Sequence, residues 1–256
     1  MKHPFTQSLR ILALTCLITG VSAQTQQATT SPDLARGIQL YEQGDAAGSI
    51  ESLRRAIATN EKDGAAWHYL GLAYLLKGNR DDARRAFGRA VAVREAGLQG
   101  SLMVATTVPD PTMARQTRSQ RFGAAADSLE KYIQLSKSPD ASLVEELETL
   151  QWYRDYYAGV RNDEEIVVPK EATTRLRILN KPNPNFSGTR ATGTAALRAV
   201  FSADGTVKHI LMIHRIDPEF DRACMLAARR IQFEPAMKDG HAVSTILQVE
   251  YGRFMY

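Results

Sequence analysis

Residues 201–240 have the sequence FSADGTVKHILMIHRIDPEFDRACMLAARRIQFEPAMKDG. Asp204-Gly205 lies between two β-prone runs and predicts a hairpin turn. Asp217-Pro218 then predicts the start of a helix, because proline is favoured at the first helical position. The apolar face of this helix is formed by Phe220, Ala223, Ala227 and Ile231. Pro235 ends the helix, so the stretch predicts a strand, a turn, a strand and a helix.

Further strands are predicted on both sides of this stretch. Leu197, Ala199 and Phe201 alternate toward one face before the first turn. On the returning strand, from Val207 to Met212, the alternation of apolar residues is imperfect. Lys238-Asp239-Gly240 predicts a second turn, and AVSTILQVEYGRF, residues 242–254, predicts a final strand. Together these elements predict a small α+β domain in which an antiparallel sheet packs on one main helix.

The order of these segments resembles the C-terminal domain of the TonB family over about residues 179–254. That family shows a proline-containing start, an Asp-Gly hairpin, an Asp-x-Ala motif on a helix, an aromatic-x-Pro-Ala motif and a second Asp-Gly turn before a last strand. The counterparts here are Pro182 and Pro184, Asp204 to Val207, Phe220 to Ala223, Phe233 to Ala236, Asp239 to Val243, and Phe254. The family's usual Tyr-Pro start is replaced by the sequence of residues 183–186, and its Trp-Arg-Phe motif by that of residues 231–233. These differences affect the expected partner contacts more than the expected fold.

The resemblance implies a function in binding by strand addition. In the family, this domain adds a segment of an outer-membrane transporter to its sheet and passes on force from a proton-driven motor in the inner membrane. An open sheet edge offers unpaired backbone groups that an extended peptide can satisfy. The predicted edge residues are Ser244, Ile246, Leu247, Gln248, Val249 and Tyr251. The alternatives are that this strand lies inside the sheet or is covered in a homodimer.

An internal repeat precedes this domain. Gly37, Gly44 and Ala56 recur at an offset of 34 residues as Gly71, Gly78 and Ala90. The second copy carries Trp67, Leu70, Gly71, Tyr74, Gly78, Ala83, Phe87 and Ala90. This pattern resembles the tetratricopeptide repeat, and the resemblance covers about residues 33–160 with one strong copy and two weaker ones. It predicts an α-solenoid with an insertion near residues 97–120, joined to residues 179–256 by a linker at 161–178.

Tetratricopeptide arrays bind proteins or peptides in a concave groove. By analogy with the family, the groove residues are Tyr41, His68, Leu72 and Leu75. The lysines and asparagines of the subtype that clamps carboxylates are missing from these positions. The alternative is that the array serves only as a spacer or as a contact between copies of the chain.

The first 23 residues have the pattern of a secretory signal peptide. Lys2 and Arg10 precede a short apolar run, and Val21-Ser22-Ala23 supplies the small residues of a cleavage site. Residues 24–32 are predicted to be a flexible leader. These features predict a periplasmic protein without a stable membrane span. The alternative is an uncleaved segment that anchors the chain in the inner membrane, facing the periplasm.

Catalytic and nucleic-acid functions find no support in the sequence. Phosphate-binding glycine loops, metalloprotease motifs and CxxC pairs are absent. The histidines are dispersed, and the adjacent pair Glu145-Glu146 predicts a solvated helix face. The net charge is +4, and two of these charges lie on Lys2 and Arg10, so nucleic acid is not an expected partner. We expect no catalytic residue, no cofactor and no metal site.

The combined pattern favours an exported adaptor that binds proteins or peptides of the cell envelope. Its repeats would bind one partner, and its TonB-like domain would bind another, with TonB-dependent transporters of the outer membrane as candidates. The alternative is a TonB-type energy transducer with a retained N-terminal anchor. A force-transmitting member of the family needs such an anchor and a long linker across the periplasm.

Overall fold

The computed structural model describes residues 31–103, 111–160, 165–167, 169–186 and 192–253. The predicted signal peptide and nearly all of the leader lie outside these residues. The helices are α1 Pro32–Glu42, α2 Ala46–Thr59, α3 Gly64–Leu76, α4 Arg80–Met103, α5 Pro111–Leu135, α6 Ala141–Ala158 and α7 Pro218–Ala228. The strands are β1 Ile166–Val167, β2 Arg177–Asn180, β3 Gly193–Phe201, β4 Val207–His214, β5 Gln232–Glu234, β6 Ala236–Lys238 and β7 His241–Arg253.

Helices α1 to α4 form two antiparallel pairs with the same internal packing. A methyl group on Gly71 of α3 would lie 2.8 Å from the ring of Phe87 on α4. A methyl group on Gly37 of α1 would meet the Leu53 side chain of α2 at 2.5 Å. Only glycine allows this close approach, and the two glycines are 34 residues apart. The 34-residue sequence repeat is therefore matched by the same glycine-to-side-chain contact in each helix pair.

The helix ends follow from local sequence. Asp45, Asp63 and Asp140 cap α2, α3 and α6 by accepting backbone N–H donors with their side chains. Such caps each contribute about 1 kcal/mol. The predicted insertion at 97–120 is helical at both of its described ends, because α4 continues to Met103 and α5 begins at Pro111. Residues 104–110 lie outside the described part.

The C-terminal strands form a sheet with the order β1-β7-β3-β4. β7 pairs antiparallel with β3 from Gly193↔Arg253 to Phe201↔Thr245. The face that carries Leu197, Phe201 and Tyr251 packs on α7, where Cys224 is buried. β2 and β5 form a separate two-stranded sheet.

The imperfect alternation on β4 has a structural cause at His209. This residue has a φ of 46°, in the left-handed region, and the β3–β4 register shifts between Arg198 and Val200 on the facing strand. A bulge inserts an extra residue and reverses the side-chain alternation beyond it. Val207 and Ile210 consequently share one face although they are an odd number of residues apart.

The second face of the sheet is covered by the helices. Ala196, Val200, Leu211 and Ile213 share a core with Phe122, Leu150, Trp152 and Tyr153. The Trp152 ring stacks on His209 at 4.4 Å between centroids, and the Tyr153 hydroxyl donates to the His209 carbonyl at 3.2 Å. The helical array and the sheet therefore share one hydrophobic core. Whether residues 179–256 fold as an independent domain stays a prediction.

The predicted linker takes part in this structure. It contains the short strand β1 at Ile166–Val167. Thr174 forms a bridge to Met237, and β2 begins at Arg177. Residues 165–167 and 169–178 are consequently tied to the C-terminal strands by backbone hydrogen bonds.

Candidate functional site: the outer edge of β7

β7 has β3 along one side, and its other side, called here the outer edge, is only partly covered. On this edge, β1 pairs in parallel with Ser244 and Thr245. β6 pairs with residues 241–243, which precede the part of β7 that pairs with β3. The Ser244 amide donates to the Glu165 carbonyl at 3.0 Å. Ser244 was predicted to be an edge residue that binds a partner, but its outward amide already donates to Glu165, next to β1, so a partner strand would have to pair beyond it.

Residues 246–252 have no strand on the outer edge within the described part of the chain. The Glu250 carbonyl accepts a hydrogen bond from the Lys181 ammonium at 3.0 Å, so this carbonyl points away from β3. Backbone groups of alternate residues point to the same side of a strand. Ile246, Gln248, Glu250 and Gly252 therefore present their N–H and C=O groups outward.

The alternation divides the predicted edge residues into two sets. Ile246 and Gln248 direct their backbone groups to the outer edge. Leu247, Val249 and Tyr251 direct theirs to β3, and their side chains pack in or against the core beside α7. These three residues keep the strand in place and cannot themselves supply backbone hydrogen bonds to a partner strand.

Lys181 lies over the open part of the edge. Besides its bond to the Glu250 carbonyl, its ammonium is 5.1 Å from the centre of the Tyr251 ring. The Tyr251 hydroxyl is buried and has no hydrogen-bond partner among the described residues. Burial is the main cause that raises the pKa of Tyr251 to about 12, so the phenol is neutral. Lys181 is therefore the side chain that an added strand would have to displace.

A small ionic cluster holds β1 on the first half of the edge. Glu165 accepts from the Lys238 ammonium at 2.8 Å and lies 3.0 Å from His241 Nε2. The hydrogen bonds from Lys238 and His241 lower the pKa of Glu165. These groups are exposed, so the cluster positions β1 without adding much stability.

The predicted groove residues lie in the helical array, and His68 is engaged within it. His68 Nδ1 is 2.9 Å from the Ser128 hydroxyl of α5, and Arg94 also approaches it. Burial, followed by the charges of Arg94 and Lys131, lowers the pKa of His68 to about 4, so the ring is neutral near pH 7. α5 therefore occupies the position where His68 was predicted to meet a partner.

The remaining groove residues are half-buried against the core of the first repeats. Tyr41 makes an edge-to-face contact with Tyr69 at 6.0 Å, and Leu72 and Leu75 pack against the same core. Their partial exposure is compatible with a binding surface. Their role in binding stays a prediction.

A charged cluster at the boundary between the helices and the sheet was missed in the sequence. Arg215 follows β4 and lies 3.1 Å from Glu146 of α6 and 3.6 Å from Glu95 of α4. Burial and the nearby Glu146 carboxylate raise the pKa of Glu95 to about 7, against the effect of Arg215. The solvated face predicted for Glu145-Glu146 is found at Glu145, which is exposed and pairs with Arg229, but not at Glu146, whose side chain is only 21% exposed. No spacing signal could have revealed contacts between such distant positions.

The described residues contain no group of three or more His, Cys, Asp or Glu side chains arranged to hold a metal ion. Within the same residues, none of the helices combines the length and the apolar character that a bilayer span requires.

Comparison with protein families agrees with the two resemblances. Residues 188–252 match the family of the Gram-negative bacterial TonB protein C-terminal, and residues 64–95 match the tetratricopeptide repeat. No curated protein matches the chain significantly. Both families are protein-interaction families, and the TonB-type match implies a location in the cell envelope. The chain therefore joins a helical segment similar to tetratricopeptide repeats to an α+β segment similar to the TonB C-terminal domain.

Proposed function

We propose that this protein is a periplasmic adaptor that binds an extended segment of an envelope protein at the outer edge of β7. The observation that supports this most directly is the change in pairing along one strand. Ser244 and Thr245 are paired with β1, whereas alternate residues from Ile246 to Gly252 carry outward backbone groups that no described strand satisfies. The helical repeats would bind a second protein partner.

The geometry limits the length of the added segment. β1 ends opposite Thr245, so a partner strand has to start beyond that residue. Four outward residues, Ile246, Gln248, Glu250 and Gly252, can then exchange hydrogen bonds with it. Each such bond contributes about 0.5–1.5 kcal/mol net, so backbone pairing alone gives modest affinity. Side-chain contacts of the partner would have to supply its specificity.

The shared core would hold the two binding regions of the adaptor in a fixed position relative to each other. The helices pack directly on the face of the sheet that contains β7, through residues such as Trp152 and Leu211. A partner held by the repeats would therefore keep a defined position relative to a partner on the edge. A flexible linker would not provide this property.

The test is an NMR titration of the full chain with peptides from the periplasmic N-terminal segments of outer-membrane transporters. We expect shifts at residues 246–252 and at Lys181. The variant Gln248→Pro removes one outward N–H but leaves the bonds of Leu247 and Val249 to β3, and it should lose binding. Gln248→Ala keeps the N–H and should bind as the wild type does. Equal binding by both variants would refute strand addition at this edge.

A second measurement separates the adaptor from an anchored energy transducer. We expect the intact mass of the protein from the periplasmic fraction to correspond to a chain that starts at Gln24. A mass that includes Met1, found in the membrane fraction, would favour the transducer. Strand addition could still take place in that case, since it depends on β7 alone.

A further inference from the structure

A pocket of about 310 Å³ lies on the helical array, away from the predicted groove. Its apolar floor is formed by Trp67, Leu70 and Tyr74 of α3, with Ile57 of α2 and Ala86 of α4. The predicted groove residues of α3 are His68, Leu72 and Leu75, and none of them lines this pocket. Since successive helical residues are about 100° apart, the two sets lie on different sides of α3.

The rim of this pocket is strongly basic. Arg54, Arg85 and Arg89 line it together with a single carboxylate, that of Asp82. Arg85 pairs with Asp82, which leaves Arg54 and Arg89 without a carboxylate partner among the described residues. Arg89 makes no ion pair with another described residue. It also stands one helical turn from Arg85, and like charges at this spacing repel each other. The rim thus carries uncompensated positive charge that an anionic ligand would neutralise.

The polar groups of the floor are already satisfied. Arg54 donates to the Tyr74 hydroxyl at 2.7 Å and lies over its ring, so its guanidinium is held at the mouth of the pocket. The Trp67 indole N–H donates to the Glu61 carbonyl at 2.9 Å. A ligand would therefore contact apolar ring surface at the floor of the pocket and charged groups only at its rim.

A second pocket of about 450 Å³ adjoins the first and shares Arg54 with it. Its floor includes Ala47, Ile50 and Ala58 of α2, and Lys77 lies at its rim. The arginine at this rim, Arg55, is paired with Asp33 and Glu51. Two apolar depressions are consequently separated by the Arg54 guanidinium, which has no carboxylate partner in the described part of the chain.

We propose that these two pockets form a docking site for an extended acidic segment of a partner protein. An apolar side chain of the segment would enter each pocket, and a carboxylate between them would pair with Arg54. A further carboxylate would pair with Arg89. The basic rim favours an acidic partner. Two apolar pockets side by side favour a peptide with alternating apolar and acidic residues over a small anion, because a small anion cannot fill both pockets. This site does not depend on strand addition at β7.

The probe is a fluorescein-labelled peptide of eight residues in which phenylalanine and aspartate alternate, and binding to the full chain is measured by fluorescence anisotropy. Because a bidentate pair of guanidinium and carboxylate is a strong charge-assisted contact, we expect Arg89→Glu to weaken binding about tenfold or more. Arg54→Ala should weaken it similarly. Arg80→Glu makes the same charge change on α4 outside the pocket and should bind nearly as the wild type does.

Intrinsic fluorescence gives an independent readout. Trp67 is half-buried in the first pocket, whereas the only other tryptophan, Trp152, is buried and stacked on His209. Binding of an unlabelled peptide should therefore change the emission of the wild type, and Trp152→Phe should keep that change.

Several outcomes would overturn the proposal. One is equal affinity of Arg89→Glu and the wild type for the acidic peptide. Another is equal binding of a peptide in which lysine replaces aspartate. Stronger binding to anionic lipid vesicles than to the peptide would assign the basic rim to a membrane surface instead. Loss of acidic-peptide binding in Gln248→Pro would place the peptide on β7. Unchanged peptide binding in Gln248→Pro would show that the pocket site and the β7 edge are distinct.

Discussion

Replacement of Glu95 by glutamine is expected to stabilise the protein at neutral and alkaline pH. Glu95 lies between the helices and the sheet, beside Glu146 and Arg215. The Glu95 side chain is only 19% exposed, so water screens the repulsion between the Glu95 and Glu146 carboxylates poorly. Both carboxylates share the single guanidinium of Arg215. The native state avoids two adjacent charges by keeping a proton on Glu95. Glutamine reproduces the shape and hydrogen-bonding capacity of that protonated form.

The sign of the pH dependence follows from the direction of the shift. The pKa of Glu95 is raised from 4.5 to about 7 in the folded protein, so between these values the native state holds more protons than the unfolded chain. Stability from this group is therefore present below pH 4.5 and is lost as the pH rises toward 7. At about 1.4 kcal/mol per pKa unit, the loss is about 3–4 kcal/mol.

The assay is urea unfolding of wild type and Glu95→Gln, followed by circular dichroism at several pH values. Because the other titrating groups are common to both proteins, the difference in unfolding free energy isolates Glu95. We expect this difference to be near zero at about pH 4.5 and to favour the variant by about 3–4 kcal/mol at about pH 8. Glu148→Gln changes an exposed residue of α6 and serves as the control. A difference that stays constant with pH, or that favours the wild type as pH rises, would refute the reasoning.

Three further substitutions test the packing. Phe87→Ala empties a fully buried site beside Gly71 and should cost about 3–5 kcal/mol in urea unfolding, and a cost below about 1 kcal/mol would contradict the packing. Trp152→Ala removes the ring stacked on His209, so hydrogen exchange in β4 should become faster, whereas unchanged exchange would argue against the shared core. Asp63→Ala removes the cap of α3 and should lower the unfolding free energy by about 1 kcal/mol, with Glu61→Ala as the control.

Elements with local sequence signals could be predicted before the fold was known. The 34-residue offset that relates Gly37 to Gly71 predicts the helical pairs, because close helix packing requires a small residue at each of these positions. Asp239 and Gly240 predict the turn before β7, and both have positive φ values in the structure. Asp217-Pro218 predicts the start of α7 for an equally local reason. Both family resemblances depend on such signals, and both are confirmed.

The contacts between these elements could not be predicted in the same way, because they join positions far apart in the chain. The pairing of β1 with Ser244 joins positions far apart in the chain, and it decides which half of β7 remains open. The packing of Trp152 against His209 and the sharing of Arg215 by Glu95 and Glu146 likewise depend on contacts between distant segments. Local propensity and periodicity carry no information about such contacts. The physical reason is that strand order, edge exposure and buried charge are set by which surfaces exclude water together, and that is a property of the whole fold.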